Sequence, residues 1–330
     1  MPHKLIAILL VALIWYPVGA RSEANFGSVA DDPSIPMFLV SAFGTAGVVH
    51  SSEDRADFTG SIFKPNGAGY THPWSTDVDS LLGAQITANL TSKISATVQA
   101  ISAQRYDNTY TPYVSWANIK YQFTPDASIR LGRTVLPSYL YSDSRNVGYA
   151  NPWIRPPTEV YSLVPVLSSD GVDASYKIHT GEFVHTLLAT YGGTRTSVPA
   201  GGGSAVARRE WNASDTIEHG PVTFHMTYQE ADLTIDRLEA FFAPFPRFGP
   251  QGVALANEYS SNNKRLRFIG LGGLYDSGNW FVVSEWGKNE LHSALGDSTA
   301  WYVSSGYRFA RFTPYVTYAE VKLLSRCLRK

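Results

Sequence analysis

The sequence predicts an all-β protein, a transmembrane antiparallel up-and-down β-barrel. Three observations predict it. The first is a stretch that alternates strictly. In residues 82–104, Leu82, Ala84, Ile86, Ala88 and Leu90 fall on one face, and Gly83, Gln85, Thr87 and Asn89 on the other. After a break at residues 91–93 the alternation restarts, with Ile94, Ala96, Val98 and Ala100 against Ser95, Thr97 and Gln99. Strand side chains point to opposite faces with period two, so this is a hairpin with one apolar and one polar face. Each arm has about the length of a tilted membrane-crossing strand. The second observation is that the unit recurs, and its connections alternate between short turns and long polar loops. Successive connections of an up-and-down sheet lie at opposite ends, and transmembrane barrels segregate short turns from long loops in this way. The third is composition: 44% hydrophobic and 13% aromatic, with only 17% charged residues. That balance suits a barrel whose outside meets lipid.

Barrels of 330 residues form one domain. The net charge of -1 gives no electrostatic reason to expect nucleic acid. The single cysteine, Cys327, excludes an internal disulfide framework. Residues 1–20 read as a signal peptide. His3 and Lys4 form a weakly basic start, residues 5–15 are apolar, and Val18-Gly19-Ala20 is a small-residue cleavage site with cutting after Ala20. The apolar run is too short for a comfortable helical span, and no longer one follows, so residues 21–330 must engage a membrane through strands.

Taken in order, residues 21–35 are a lead and 36–49 a first strand, followed by a long polar connection over 50–78. After the hairpin and a Tyr-rich loop at 106–112, residues 113–123 alternate again. Ala117, Ile119, Tyr121 and Phe123 oppose Asn118, Lys120 and Gln122. Thr124-Pro125-Asp126-Ala127 is a turn with Pro at a favoured position. Residues 128–135 form the next strand, with Ile129 and Leu131 opposing Arg130 and Thr134, and a long segment over 136–170 then interrupts the pattern. Strands resume at 171–178 and 183–191, and residues 192–210 read as a Gly/Ser/Arg loop. A hairpin over 211–218 and 221–233 turns at His219-Gly220, and 234–263 is a long loop with a helical turn near 237–242. Strands at 264–275 and 279–286, a loop at 287–297, and strands at 298–309 and 312–323 complete the order.

Five blocks carry a family resemblance: AFGTAGVVH at 42–50, WSTDVDSLLGAQITANLT at 74–91, SAQRYDNTYTPYVSWANIKYQFTPDASIRLGR at 102–133, NVGYANPWIRPPTEVYSLVPVLSSDGVDASY at 146–176, and NEYSSNNKRLRFIGLGGLYDSGNWFVVSEWG at 257–287. With them the chain, from about Phe38 to Val321, resembles the Gram-negative general porin superfamily in its proteobacterial porin-like branch. The resemblance implies a water-filled, usually 16-stranded barrel of the outer membrane, folded by the barrel-assembly machinery and trimeric with copies of itself. It implies passive diffusion of small hydrophilic solutes and ions, no cofactor, and a third loop folded inward to narrow the pore.

The segment 136–170 is the third long loop by count. Tyr139, Tyr141, Tyr149, Trp153 and Tyr161 can anchor it, and Pro137, Pro152, Pro156, Pro157 and Pro165 restrict it. It carries Asp143, Arg145, Arg155 and Glu159. The wall offers Lys120 and Arg130, with Asp173 and Lys177 on the following strand. Arg133 shares parity with Ile129 and Leu131, so it joins the inner face only if Gly132 bulges. Charges facing one another across a narrow aqueous constriction set ion preference.

No enzyme is expected. H-E-x-x-H, G-x-S-x-G and a P-loop are missing, the histidines are scattered without metal-ligand spacing, and Asp77 and Asp79 read as a solvated rim. The rival from another class is a non-conducting surface barrel. A further expectation concerns completeness. The strand count is about thirteen, whereas single-chain bacterial barrels close with an even number. The tail, Leu324-Ser325-Arg326-Cys327-Leu328-Arg329-Lys330, is basic and loses the alternation. Truncation near residue 321 is therefore expected, or else a miscounted strand in a 14-stranded barrel.

Overall fold

The computed structural model describes residues 36–324; the expected signal peptide, residues 1–20, and Cys327 lie outside them. Its main sheet has thirteen strands: β1 Phe38–Thr45, β2 Leu81–Asn89, β3 Ile94–Ala103, β4 Tyr113–Thr124, β5 Ala127–Val135, β6 Ser168–Thr180, β7 Phe183–Ser197, β8 Ser204–His219, β9 Val222–Ile235, β10 Lys264–Asp276, β11 Trp280–Leu291, β12 Asp297–Tyr307 and β13 Tyr315–Leu324. They pair antiparallel in sequence order, an up-and-down meander, and β1 and β13 are not hydrogen-bonded to each other. No helix among the described residues is long and apolar enough to cross a membrane.

The short turns are closed by local chemistry. Thr91 Oγ1 accepts from the amides of Lys93 and Ile94, and Thr124 Oγ1 from those of Asp126 and Ala127. The turns after β6 and β8 place Gly181 and Gly220 at φ of 62° and 54°, where a side chain would be strained.

The two faces separate as the alternation predicts. Leu82 and Ile86 are exposed on β2, as are Val98, Ile119 and Leu131 on β3 to β5. On the opposite face Gln99 donates to Gln85, and Thr87 meets Thr97 across the ladder. A bulge between β3 and β4, at Gln99/Ala100, lets Val114 and Ala117 share a side despite opposite parity.

A flat sheet of thirteen strands would be roughly 60 Å wide at the usual strand spacing. Yet Trp153 Nε1 donates to Ser304 Oγ on β12 at 3.0 Å, while Arg155, two residues on, donates to Asp79 Oδ1 just before β2 at 2.6 Å. One short piece of chain touches both flanks of the sheet, so the sheet curls round it as a barrel wall. The core lies inside that curl: Leu136, Tyr139, Trp153, Val160, Tyr161, Leu163 and Val164 pack on Phe268, Phe281, Val283, Ala300 and Tyr302.

Two expected loops are largely strand. β7 and β8 run for 15 and 16 residues through most of 192–210, and β11 continues to Leu291. Their ladders carry on past the apolar band by way of register shifts at Gly192/Thr194 and Arg208/Trp211. Backbone pairing needs no apolar face, so polar strand ends are invisible to a hydrophobic period. In the long connection after β9, the expected helical turn is α2, Asp236–Phe242. A second helix, α3 (Pro250–Tyr259), follows where only loop was expected; Pro250 occupies its first turn, a place suited to a residue without an amide donor.

Candidate functional site

The connection between β5 and β6 is built as an inward plug against one side of the wall. Its anchor is Glu285 on β11. Tyr161 and Tyr302 donate their phenols to Glu285 Oε1 at 2.6 and 2.7 Å, and the Leu140 amide donates to Oε2 at 2.8 Å. Tyr161 belongs to a one-turn helix, α1 (Thr158–Tyr161), that packs over β11 to β13. Ser138 donates to Gln229 on β9, and Gln229 in turn to Glu210 on β8. The Tyr139 phenol bridges two points of the segment, donating to the Val160 carbonyl and accepting from the Val164 amide. Tyr139 also stacks on Tyr161, with ring centroids 4.3 Å apart. Aromatic area and satisfied polar groups together hold such a loop against the wall.

The inner wall opposite carries the charged rung. Lys120, Arg130 and Asp173 are cross-strand neighbours on β4, β5 and β6. Arg130 Nε donates to both carboxylate oxygens of Asp173, at 2.8 and 3.0 Å. Lys177 lies on the same strand as Asp173, and Lys120 feels the charges of Arg130, Lys177 and Asp173. Asp143 of the plug has an exposed side chain and lies within electrostatic reach of Arg130. The surrounding wall makes ionisation of Asp143 less favourable and raises its carboxyl above the usual range. Lys120, Arg130, Asp173, Lys177 and Asp143 thus come together.

The structure places five of the expected residues in surroundings other than an open charged rung. Arg133 does not join the rung. No register shift occurs at Gly132, so Arg133 keeps the parity of exposed Leu131; its fork closes on Asp170, with Nε and Nη2 each 2.7 Å from a carboxylate oxygen. Gly132 instead takes a φ of 126°, and a Cβ there would lie 2.3 Å from the Ala117 carbonyl. Asp173 is buried at 1% exposure beneath Arg130, so the pair presents little net charge to the lumen. Arg145 lies 5.3 Å over the Tyr161 ring, away from the rung, because the plug's aromatics capture it. Glu159 is half-buried on α1 and forms no ion pair among the described residues. Arg155 stands at the opposite flank, paired with Asp79 and lying 4.6 Å over the Phe58 ring.

Sequence reasoning missed Glu285, Gln229 and the latching role of Asp79. A signal existed for Glu285. Residues 280–286, Trp-Phe-Val-Val-Ser-Glu-Trp, are apolar on both parities, as a strand covered on both faces should be. Phe281, Val283 and Glu285 share the plug-facing side.

No protein-family model matches the chain, and no curated protein does. Among solved structures, in-vitro folded OmpT, an outer membrane protein of Vibrio cholerae, aligns with a TM-score of 0.40 at 14% identity, covering 88% of this chain and 89% of its own. OmpF of Salmonella typhi in complex with daunomycin aligns with a TM-score of 0.48 at 12% identity, over 86% and 78%. The outer membrane channel DcaP of Acinetobacter baumannii aligns with a TM-score of 0.40 at 10% identity, over 86% and 91%.

Proposed function

We propose that this chain is an outer-membrane porin, a passive channel for small hydrophilic solutes and ions. The observation that carries this reading is the inward connection between β5 and β6. It lies within the curl of the sheet, fastened to Glu285 and Ser304, and sets Asp143 against Arg130. A segment that narrows a polar lumen while leaving charges in water is the physical form of a selectivity constriction. The exterior supports a lipid setting: Leu82, Ile86, Val98, Ile119 and Leu131 form an exposed apolar surface on consecutive strands, which water would oppose and hydrocarbon accommodates. The plug springs in this reading from the long-loop end of the barrel, and that end faces outward from the cell. In this reading the signal peptide is removed after Ala20, assembly machinery inserts the strands, and copies associate as a homotrimer.

Single-channel recording in a planar bilayer tests the proposal, using the full chain refolded in detergent. Discrete current steps in potassium chloride are expected. A well-folded protein that yields no step current would instead be a non-conducting surface barrel.

A further inference from the structure

The long-loop end of the lumen contains a cavity of about 410 Å³. It lies between the connection from β1 to β2, the connection from β3 to β4, the plug and the far end of β7. That volume falls in the range of small-ligand sites. Its charge is one-sided. The carboxylates on its lining are Asp79, engaged by Arg155, and Asp170, engaged by Arg133 at its border. Lys64, Arg105, Arg145 and Arg195 remain, and none of the four forms an ion pair among the described residues.

Three of these cations are held in place by carbonyls and ring faces, with carboxylates beyond ion-pair distance. Lys64 Nζ donates to the carbonyls of Asp77 and Val78 at 2.8 and 2.9 Å, with a third donor to spare. Arg105 lies 5.6 Å over the Tyr106 ring, and Arg145 lies 5.3 Å over that of Tyr161. A ring face holds a guanidinium plane and leaves its N–H edge directed elsewhere, ready for a two-pronged acceptor. The lining thus carries six cations against two carboxylates, and an anion relieves that excess. Burial pulls the Lys64 ammonium below its usual range, against the attraction of Asp79 and Asp77.

We infer that this cavity is a binding site for small organic dianions, solutes bearing two carboxylate groups or a phosphate, held before they enter the constriction. The inference rests on the channel reading and deepens it by naming a solute class. A neutral sugar gains nothing from the four cations; a monoanion engages fewer of them than a dianion does.

The test is single-channel recording in potassium chloride with succinate, glycerol phosphate, acetate or glycerol added to one side at a time. Succinate and glycerol phosphate should interrupt the current at concentrations about tenfold lower than acetate, with glycerol inert. Lys64→Gln and Arg195→Gln, each referred to its own potassium chloride current, should raise the interrupting concentration about three- to tenfold, and Arg195→Lys should restore it. Arg195 is exposed at a strand end, so its variants test the site even where Lys64→Gln fails to fold. Normal current with succinate no better than acetate, or with Arg195→Gln like the parent, overturns the site and leaves the channel standing. Folded protein without current overturns both.

Discussion

Tyr161 donates its phenol to Glu285 at 2.6 Å, and this contact ties the inward segment to β11. The same carboxylate takes two further donors, from Tyr302 and the Leu140 amide. Glu285→Ala would strand all three in a buried place, at about 1–3 kcal/mol for each unsatisfied group. The plug should loosen. We expect larger and noisier single-channel currents from Glu285→Ala, with Glu285→Gln intermediate. Currents identical to the parent would show that the plug is fastened elsewhere.

Arg130 and Arg133 differ by three positions but stand on opposite faces. Arg130→Gln removes the cation that covers Asp173 and should move the reversal potential in a salt gradient toward cation preference. Arg133→Gln should move it much less, since Arg133 closes on Asp170 at the border of the lumen and off the rung. A shift with Arg133→Gln as large as that with Arg130→Gln would reverse the face assignment.

Asp143 provides a pH signature. Enclosure raises its carboxyl pKa, so on acidification it takes up its proton earlier than an ordinary carboxylate. Cation preference should therefore begin to fall at a pH above the usual carboxylate range. The folded state binds this proton more tightly than the unfolded chain, so the same group favours folding as pH falls through its raised pKa. Asp143→Asn should start from lower cation preference and lose this part of the pH dependence. A parent and variant with parallel pH profiles would remove Asp143 from the constriction.

The lipid face is tested by neighbours of opposite parity. Ile86 is 50% exposed on the outward side, whereas Thr87 meets Thr97 on the inner one. Ile86→Arg should cost about 2–4 kcal/mol of folding into bilayers, and Thr87→Arg much less. Equal costs in denaturant titrations with lipid vesicles would mean that β2 does not divide lipid from lumen.

By itself the sequence determined the meander. Period-two alternation, turn residues such as Thr91 and Gly220, and alternating connection lengths specify thirteen strands and most of their faces, because each depends on residues a few positions apart. Lys120, Arg130, Asp173 and Lys177 were legible as one inner face for the same reason. The polar ends of β7, β8 and β11 were not, since ladder hydrogen bonds carry no hydrophobic signature. Only the tertiary structure decided where the segment after β5 is fastened. Tyr161 and Glu285 are 124 residues apart in the chain, and Arg155 and Asp79 are 76 apart. Such pairs form because the curl of the sheet brings distant strands to one interior, where an unpartnered carboxylate or phenol would be costly. The curl also turned Asp173 from a lumen charge into a buried partner of Arg130 and sent Arg145 to an aromatic ring. These outcomes depend on what stands opposite a side chain in space, and a strand's own alternation records only which way that side chain points.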